Sequence, residues 1–413
     1  MKKSVILLFS LCLAFLFLGE RAEAATPSVY IDGRNIPVST ATRDNSTLVP
    51  LRIISEKLGL TVKFDENSKT IIVSHPFQKW ELHHTVGTKT TTRYENGYQS
   101  GTNQMNTVSL VENGVTYVPI RFFEGLDAQV NWDSAKNRID VYSYELKMNQ
   151  YLILTSLAYN KLENYADNQT TLDKIFPQLS VGYDRIFNDV KNRLWIYTDY
   201  TPEEFASEML MGDWVVKTVL TKSDFSTDSE YTKYKNSGFT GYTFRNIRTK
   251  EVVISYRGTD GFTSLDDWYA NKESFINKSN TQKPYALQLF LKSISNGGYI
   301  TIVGHSLGGN LAQGVASYYP NNYNKMVTFN ALGSGLSANS TEFKKATNHV
   351  INVDPVKALR SHYGKVISYQ IRKSNNNIVG IDAHELFNFY SYFFKSNSKY
   401  WTNGYGVPLA PIN

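Results

Sequence analysis

The chain has 413 residues, more than one ordinary domain needs, so two or three domains are expected. Its content of 41% hydrophobic and 14% aromatic residues is enough to build packed cores, which excludes an intrinsically disordered chain. The net charge of +6 comes without a dense stripe of lysine and arginine, which argues against a protein that binds nucleic acid.

The first 24 residues have the organisation of a secretory signal peptide. Two lysines precede an apolar run from Val5 to Leu18, and Ala22-Glu23-Ala24 is typical of a cleavage site. The alternative is an uncleaved membrane anchor, but about 14 apolar residues are fewer than the ~20 that cross a bilayer. The sequence therefore predicts cleavage after Ala24 and a secreted, extracellular protein without a stable transmembrane anchor. Because the single cysteine, Cys12, lies in this segment, the mature chain should contain no disulfide.

Residues 28–143 contain an internal repeat. The segment Thr47–Arg52 recurs as Thr116–Arg121, and the match resumes further on, with Val62 and Phe64 equivalent to Val130 and Trp132. Each unit predicts a short strand, a helix that follows Pro-Arg, and two strands joined by a polar turn. We expect the equivalent apolar positions to face a core that this region builds for itself.

This duplicated region resembles the N-terminal stalk domain of copper amine oxidases. The resemblance implies a small duplicated α+β domain that acts as a spacer or binding module, with association to the cell envelope as its candidate role. His75, His83 and His84 are too sparse to supply copper ligands, so no metal site is predicted there.

The region 148–413 has a different pattern, in which helices and strands alternate. The predicted elements begin with the helices Tyr151–Tyr159, Leu172–Ile186 and Pro202–Val219, followed by a hairpin of Gly241–Arg245 and Glu251–Tyr256. The alternation that continues to Leu386–Phe394 indicates an α/β domain with a mainly parallel sheet. Such sheets carry their functional sites at the carboxyl ends of the strands.

The pentapeptide Gly304-His305-Ser306-Leu307-Gly308 is the most informative motif. It lies between an apolar strand, Tyr299–Val303, and a helical stretch of small residues, Asn310–Ala316. A strand that enters a helix through a tight Gly-x-Ser-x-Gly turn is the nucleophile elbow of α/β hydrolases, which exposes the serine oxygen above the sheet. The sequence therefore predicts Ser306 as a nucleophile.

A nucleophilic serine needs a base and a carboxylate that orients the base. Asp354 follows the predicted strand His349–Val353, and His384 lies in a loop before the last helix, so the chain order is serine, acid, histidine. We predict Asp354 as the acid and His384 as the base. The competing groups are His305, His349 and His362 for the base, and Asp382 for the acid.

The end of the hairpin, Ser255-Tyr256-Arg257-Gly258-Thr259, is a candidate source of oxyanion donors. We expect the backbone N–H of Thr259 to lie opposite that of Leu307, since two such donors stabilise the charge that develops in acyl transfer. The alternative is that Gly258 only makes a turn after an edge strand.

Together these segments resemble the class 3 lipase superfamily, closest to its bacterial lipase-like branch. The resemblance covers about residues 148–395 and rests on Tyr256–Thr259, the serine motif, Val327–Asn330, Asp354-Pro355-Val356 and a late histidine. It implies an α/β-hydrolase fold, ester hydrolysis without metal or cofactor, and the roles given above for Ser306, Asp354, His384, Thr259 and Leu307. The segment Asn330–Gly333 departs from the Gly-x-Pro of better-characterised members, which leaves the shape of the pocket open.

The expected function is secreted, serine-dependent hydrolysis of carboxylic esters, with lipid esters as the expected substrate. The alternatives are a cell-surface binding protein with an inert hydrolase fold, and a peptidase or acyltransferase that uses the same triad. Residues 261–280 predict either a lid that exposes apolar side chains to lipid or a packed crossover.

Overall fold

The computed structural model describes residues 26–75, 80–179, 202–258, 272–295, 297–356, 359–369, 384, 386, 389, 411 and 412. The predicted signal peptide lies outside the described residues. The rest forms an N-terminal region of three β-sheets and a C-terminal region around one eight-stranded sheet. Within the described part of the chain, none of the helices has both the length and the apolar content that a bilayer span requires.

The N-terminal region contains thirteen strands among its described residues. They are β1 Ser28–Ile31, β2 Arg34–Ile36, β3 Ala41–Arg43, β4 Ser46–Pro50, β5 Thr61–Asp65, β6 Thr70–Ser74, β7 Trp80–Thr85, β8 Thr90–Glu95, β9 Tyr98–Gln104, β10 Leu110–Glu112, β11 Val115–Pro119, β12 Gln129–Asp133 and β13 Arg138–Tyr142. The sheets have the strand orders β12-β13-β1-β2, β10-β11-β4-β3 and β5-β6-β7-β8-β9.

The internal repeat is visible in the pairing of β4 with β11. These strands carry the repeated motif and run antiparallel, with Val49 directly opposite Val118, its equivalent in the other unit. The first unit continues into helix α1, Leu51–Lys57, whereas the second continues into a 3₁₀ helix, Ile120–Leu126. With one short α-helix among thirteen strands, the region is β-rich rather than the α+β domain predicted.

The predicted burial of the paired apolar positions is only half right. Val62 and Val130 pack against the core, but Phe64 and Trp132 are both 48% exposed. The reason is that β5 and β12 are edge strands of their sheets, so no further strand covers the outer side of these aromatic rings.

The sheet of the C-terminal region is mixed, with strands in sequential order. Its strands are β14 Trp214–Thr218, β15 Gly241–Asn246, β16 Val252–Tyr256, β17 Ile300–His305, β18 Lys325–Phe329, β19 Ala346–Ile351, β20 Lys365–Tyr369 and β21 Pro411–Ile412. The central strands β16 to β20 are parallel, and the outer pairings β14–β15, β15–β16 and β20–β21 are antiparallel. The predicted hairpin is therefore confirmed, and the mainly parallel sheet is confirmed for its centre only.

Helices cover both faces of this sheet. The described helices are α2 Tyr144–Leu157, α3 Leu172–Leu179, α4 Pro202–Glu208, α5 Asp228–Ser237, α6 Lys272–Ile294, α7 Leu307–Tyr318 and α8 Ser340–Lys345. On one face, α2 packs against Val253 and Val303, and every residue from Leu146 to Leu157 is buried. On the other face, α6 and α7 pack against Ile254 and Ile302, as alternation along the strands requires.

The predicted helix Pro202–Val219 is wrong in its second half. Helix α4 ends at Glu208, Leu210 adopts a left-handed conformation, and Trp214–Thr218 forms strand β14. An aromatic residue followed by two valines favours a strand, and pairing with β15 satisfies its backbone.

The N-terminal region contacts the amino edge of the eight-stranded sheet, where the parallel strands begin. Lys365, which opens β20, lies 2.8 Å from Glu95, and Arg248, in the turn before β16, lies 3.4 Å from Asp140. Burial would raise the pKa of Asp127, but Arg93, Lys325 and Lys365 lower it overall, so this carboxylate is charged. The ionic contacts between the two regions therefore lie at the edge opposite the carboxyl edge.

Candidate active site

The predicted strand–turn–helix around Ser306 is present. Strand β17 ends at His305, helix α7 begins at Leu307, and Ser306 between them has φ 56° and ψ −125°. Residues other than glycine rarely adopt this backbone conformation, and such strain is concentrated at functional sites. A side chain at Gly308 would collide with the carbonyl of Tyr256, which explains the glycine two residues after the serine.

Asp354 and His384 are brought together at the carboxyl edge. Asp354 follows β19, and its two carboxylate oxygens lie 3.2 and 3.1 Å from Nδ1 of His384. Both residues are buried, as is Ser306. A carboxylate at Nδ1 leaves Nε2 as the nitrogen for proton transfer, as in a serine–histidine–acid arrangement.

The main chain of His384 is held next to the serine motif. Its carbonyl oxygen lies 2.8 Å from Nε2 of His305 and accepts a hydrogen bond of 3.0 Å from the side-chain amide of Asn330. The rings of His305 and His384 are 4.7 Å apart, centroid to centroid. The candidate base therefore contacts the residue that immediately precedes Ser306.

One of the two predicted oxyanion donors can be located. Leu307 is the first residue of α7, where backbone N–H groups have no partner within the helix and the helix dipole is positive. Thr259 lies outside the described residues. Gly258, just before it, approaches the nucleophile so closely that an added Cβ would lie 3.0 Å from Cβ of Ser306. Gly258 is thus more than a turn residue after a strand.

The competing histidines occupy other environments. Burial, followed by the charges of Lys365 and Lys325, lowers the pKa of His349 to about 3, and its Nδ1 lies 2.7 Å from the hydroxyl of Tyr369. His305 uses its ring nitrogens for contacts with Tyr159 and with the main chain of His384. His362 lies in the loop between Asp354 and β20. Asp382, the rival acid, lies outside the described residues.

The histidines of the N-terminal region engage protein groups. His75 contacts Glu145, His83 lies 2.9 Å from Glu81, and His84 lies 2.7 Å from the hydroxyl of Ser109. Among the residues that the structure describes, no cluster of three or more metal-ligating side chains could hold an ion.

The candidate lid, 261–280, falls in two parts. Residues 272–280 form the first turns of helix α6. Residues 261–271 lie outside the described residues, so the choice between a lid and a packed crossover stays a prediction.

Two residues of the site were not predicted from the sequence. Tyr159, two residues beyond α2, contacts both His305 and Gly258. Asn330 also accepts a hydrogen bond from the backbone of Ile351, so it connects His384 to strand β19. The signals in the sequence were the place of Tyr159 at the end of the predicted helix Tyr151–Tyr159 and the departure from the family pattern that begins at Asn330.

Two family models match the chain. Residues 30–141 match the copper amine oxidase N-terminal domain, and residues 217–384 match the Tle-like phospholipase domain. The resemblance to a stalk of this type followed by a lipase-like domain is therefore confirmed.

Solved structures of fungal proteins are also similar to the chain. MDLA of Penicillium cyclopium is 13% identical, with 58% of this chain and 85% of that chain covered and a TM-score of 0.34. The lipase of Rhizopus microsporus var. chinensis is 14% identical, with coverage of 60% and 78% and a TM-score of 0.31. Lipase II of Rhizopus niveus is 13% identical, with coverage of 56% and 83% and a TM-score of 0.29. No curated protein sequence matches the chain. Because these sequence identities and TM-scores are low, the similar structures do not indicate the substrate of this chain.

Proposed function

We propose that this protein is a secreted serine hydrolase that cleaves carboxylic esters of lipids through Ser306, His384 and Asp354. The observation that carries the proposal is the contact of Asp354 with Nδ1 of His384, beside a serine in a strained elbow. Ser306 follows β17 and Asp354 follows β19, and His384, which lies 30 residues beyond Asp354, contacts both Asp354 and the residue before Ser306.

In the proposed mechanism, Nε2 of His384 takes the proton of the Ser306 hydroxyl as Oγ attacks the ester carbonyl carbon. The backbone N–H groups of Leu307 and Thr259 stabilise the resulting oxyanion. The tetrahedral intermediate collapses, the alcohol leaves with the proton from His384, and an acyl-enzyme remains. Water, deprotonated by His384, then releases the fatty acid and restores Ser306.

Two findings support an apolar acyl group. Leu307, Leu332 and Val356 form a small buried cluster, with Leu359 packed against it, separate from the larger cores. The cluster adjoins the site because the N–H of Leu332 donates to the carbonyl of Ser306, and that of Val356 donates to Asp354. The match to a phospholipase-like domain favours lipid esters, phospholipids included, as the substrate class.

The test compares hydrolysis of a short soluble ester and of phosphatidylcholine vesicles by wild type, Ser306→Ala and Ser317→Ala. Ser317 is the matched control, because it lies on α7 with its hydroxyl bonded to the carbonyl of Gly314. We expect activity in wild type and Ser317→Ala, and its loss in Ser306→Ala. Equal rates in all three proteins would contradict the proposal, and activity on amides alone would favour a peptidase.

We also propose that the protein is exported and that its stalk contacts the cell envelope. The support is the charged start, apolar run and small-residue cleavage site of residues 1–24. Mass spectrometry of material from the culture medium should find Ala25 as the first residue. Retention of residues 1–24 would instead indicate an anchor.

A further inference from the structure

Tyr159 lies where three parts of the candidate site meet. Its hydroxyl oxygen accepts a hydrogen bond of 3.1 Å from the backbone N–H of Gly258. The same hydroxyl lies 2.8 Å from Nδ1 of His305. The fit is tight, because a side chain at Gly258 would collide with this hydroxyl. Helix α2, which ends just before Tyr159, thus reaches from the amino edge of the sheet to the elbow.

The proton positions along this chain of contacts can be assigned. Nε2 of His305 contacts the carbonyl oxygen of His384, which only accepts, so Nε2 carries a proton. In the neutral ring Nδ1 is then an acceptor, and the Tyr159 hydroxyl donates to it. Each group therefore has one consistent role, from the N–H of Gly258 through Tyr159 and His305 to the carbonyl of His384.

We propose that Tyr159 is a positioning residue, which acts through His305 on the main chain of His384 and directly on the backbone of Gly258, the residue before Thr259. This inference rests on the proposed function, since it assigns His384 as the base and Thr259 as an oxyanion donor. The contacts described for the Tyr159 hydroxyl are with Gly258 and His305, and we infer that it acts on the reacting groups through them. It sets the ring orientation of His305, which in turn fixes one of the two hydrogen bonds to the His384 carbonyl.

The expected effect is intermediate in size. Asn330 also donates to the His384 carbonyl, so the loss of Tyr159 loosens the base without releasing it. Tyr159→Phe leaves Nδ1 of His305 without its donor and the N–H of Gly258 without its acceptor. We expect kcat to fall by roughly 10- to 100-fold, the range for the loss of one or two hydrogen bonds at a buried site.

Tyr242→Phe is the matched control. The Tyr242 hydroxyl is also buried, donates to the carbonyl of Asn160 and accepts from the N–H of Leu162, in the same segment after α2. The substitution Tyr242→Phe removes the same atom as Tyr159→Phe and the same two kinds of hydrogen bond, at a position that does not contact His305 or Gly258 through that hydroxyl. Both variants are compared with wild type after titration of active sites with a fluorophosphonate, so that kcat refers to reactive molecules only.

A positioning role predicts two results. Tyr159→Phe lowers kcat per titrated site at least tenfold with KM changed less than threefold, whereas Tyr242→Phe leaves both within about twofold. His305→Ala interrupts the same series of hydrogen bonds, so the falls in kcat caused by His305→Ala and Tyr159→Phe should not be additive in the double variant. If Tyr159→Phe does not fold, His305→Ala serves as the test.

An unchanged kcat per titrated site in Tyr159→Phe would overturn the inference, as would equal losses in both tyrosine variants or fully additive losses with His305→Ala. These results leave the proposed function intact, because wild type is still labelled and active. A wild-type protein that takes up no fluorophosphonate overturns the proposed function and this inference with it.

Discussion

The amino and carboxyl edges of the eight-stranded sheet both bury ionisable groups, but they are built differently. At the amino edge, Lys147 of α2 lies 2.6 Å from Glu251, and the hydroxyls of Tyr151 and Thr301 lie 2.8 and 3.1 Å from the same carboxylate. At the carboxyl edge, Asp354 meets His384 beside a serine with positive φ. Buried charge alone therefore does not indicate a site.

The distinguishing feature of the carboxyl edge is the convergence of residues with positive φ on one site, because Lys250, which also has positive φ but at the amino edge, lies in the turn of the β15–β16 hairpin. Ser306 and Asn330 both have positive φ, and both lie directly after a parallel strand. Backbone strain of this kind costs on the order of 1–3 kcal/mol at each residue. The amino edge instead holds a compensated ion pair and the ionic contacts to the N-terminal region, which suits a structural role.

Among the substitutions at the two edges, His384→Ala should cause the largest loss of activity. We expect kcat to fall about 10³–10⁶-fold, and the double variant with Ser306→Ala to be hardly worse than either single variant, because triad members act as a unit. Asp354→Asn should be damaging but milder. A greater loss in Asp382→Asn than in Asp354→Asn would identify Asp382 as the acid.

Gly258→Ala should damage the carboxyl edge without disturbing the amino edge. The new Cβ would lie 2.8 Å from the carbonyl oxygen of His305, so the backbone at Gly258, next to Thr259, must move. The loss of one oxyanion donor predicts a fall in kcat of about 10²–10³-fold. Gly314→Ala is the control, because its Cβ meets only the side chain of Lys283 at 3.5 Å or more, and alanine favours a helix. Similar rates for the two variants would contradict this account of Gly258.

Lys147→Met should lower the stability of the protein without lowering its kcat. It leaves the buried carboxylate of Glu251 without its cationic partner, which predicts a loss of about 3–5 kcal/mol in the free energy of unfolding. The kcat per titrated site should stay unchanged, since the pair lies at the far edge. Lys222→Met, which breaks an exposed pair with Asp228, should cost less than about 1 kcal/mol. A drop in kcat per site for Lys147→Met would show that the two edges are coupled.

Removal of the N-terminal region should have only a small effect on catalysis. Its ion pairs with the C-terminal region, Glu95 with Lys365 and Asp140 with Arg248, lie at the amino edge, away from the candidate site. A chain that begins at Ser143 should therefore fold and cleave a short soluble ester within about threefold of the full-length rate. The Ser143 hydroxyl caps α2 by accepting from the N–H of Leu146. A chain that begins at Glu145 should therefore be less stable by ~0.5–2 kcal/mol. Loss of activity in a folded chain from Ser143 would show that the stalk shapes the site.

The sequence predicts the carboxyl edge well where the signal is local. The elbow follows from a strand, a Gly-x-Ser-x-Gly turn and a helix that are contiguous, and the order of acid and base follows from their places after later elements. Tyr159 could not be found in this way, because it meets His305 across 146 positions of the chain. A tyrosine at the end of a buried helix is typical of a core residue.

The errors elsewhere have a similar cause. The sequence predicts a helix over Trp214–Thr218, but the segment forms a strand because it pairs with β15. This partner lies outside the segment, so the local pattern does not reveal it. The sequence predicts that Phe64 and Trp132 lie in the core, because apolar residues at equivalent positions of the two repeat units indicate the inward face of a strand. It does not reveal that each strand lies at the edge of its sheet.

The central claim, that Ser306 is an activated nucleophile, is tested most directly by covalent labelling. Wild type, Ser306→Ala and Ser317→Ala are treated with a fluorophosphonate, and the modified peptide is identified by mass spectrometry. The account predicts one adduct per molecule on Ser306 in wild type and Ser317→Ala, and none in Ser306→Ala. Equal labelling of Ser306→Ala, or an unlabelled wild type, would contradict it.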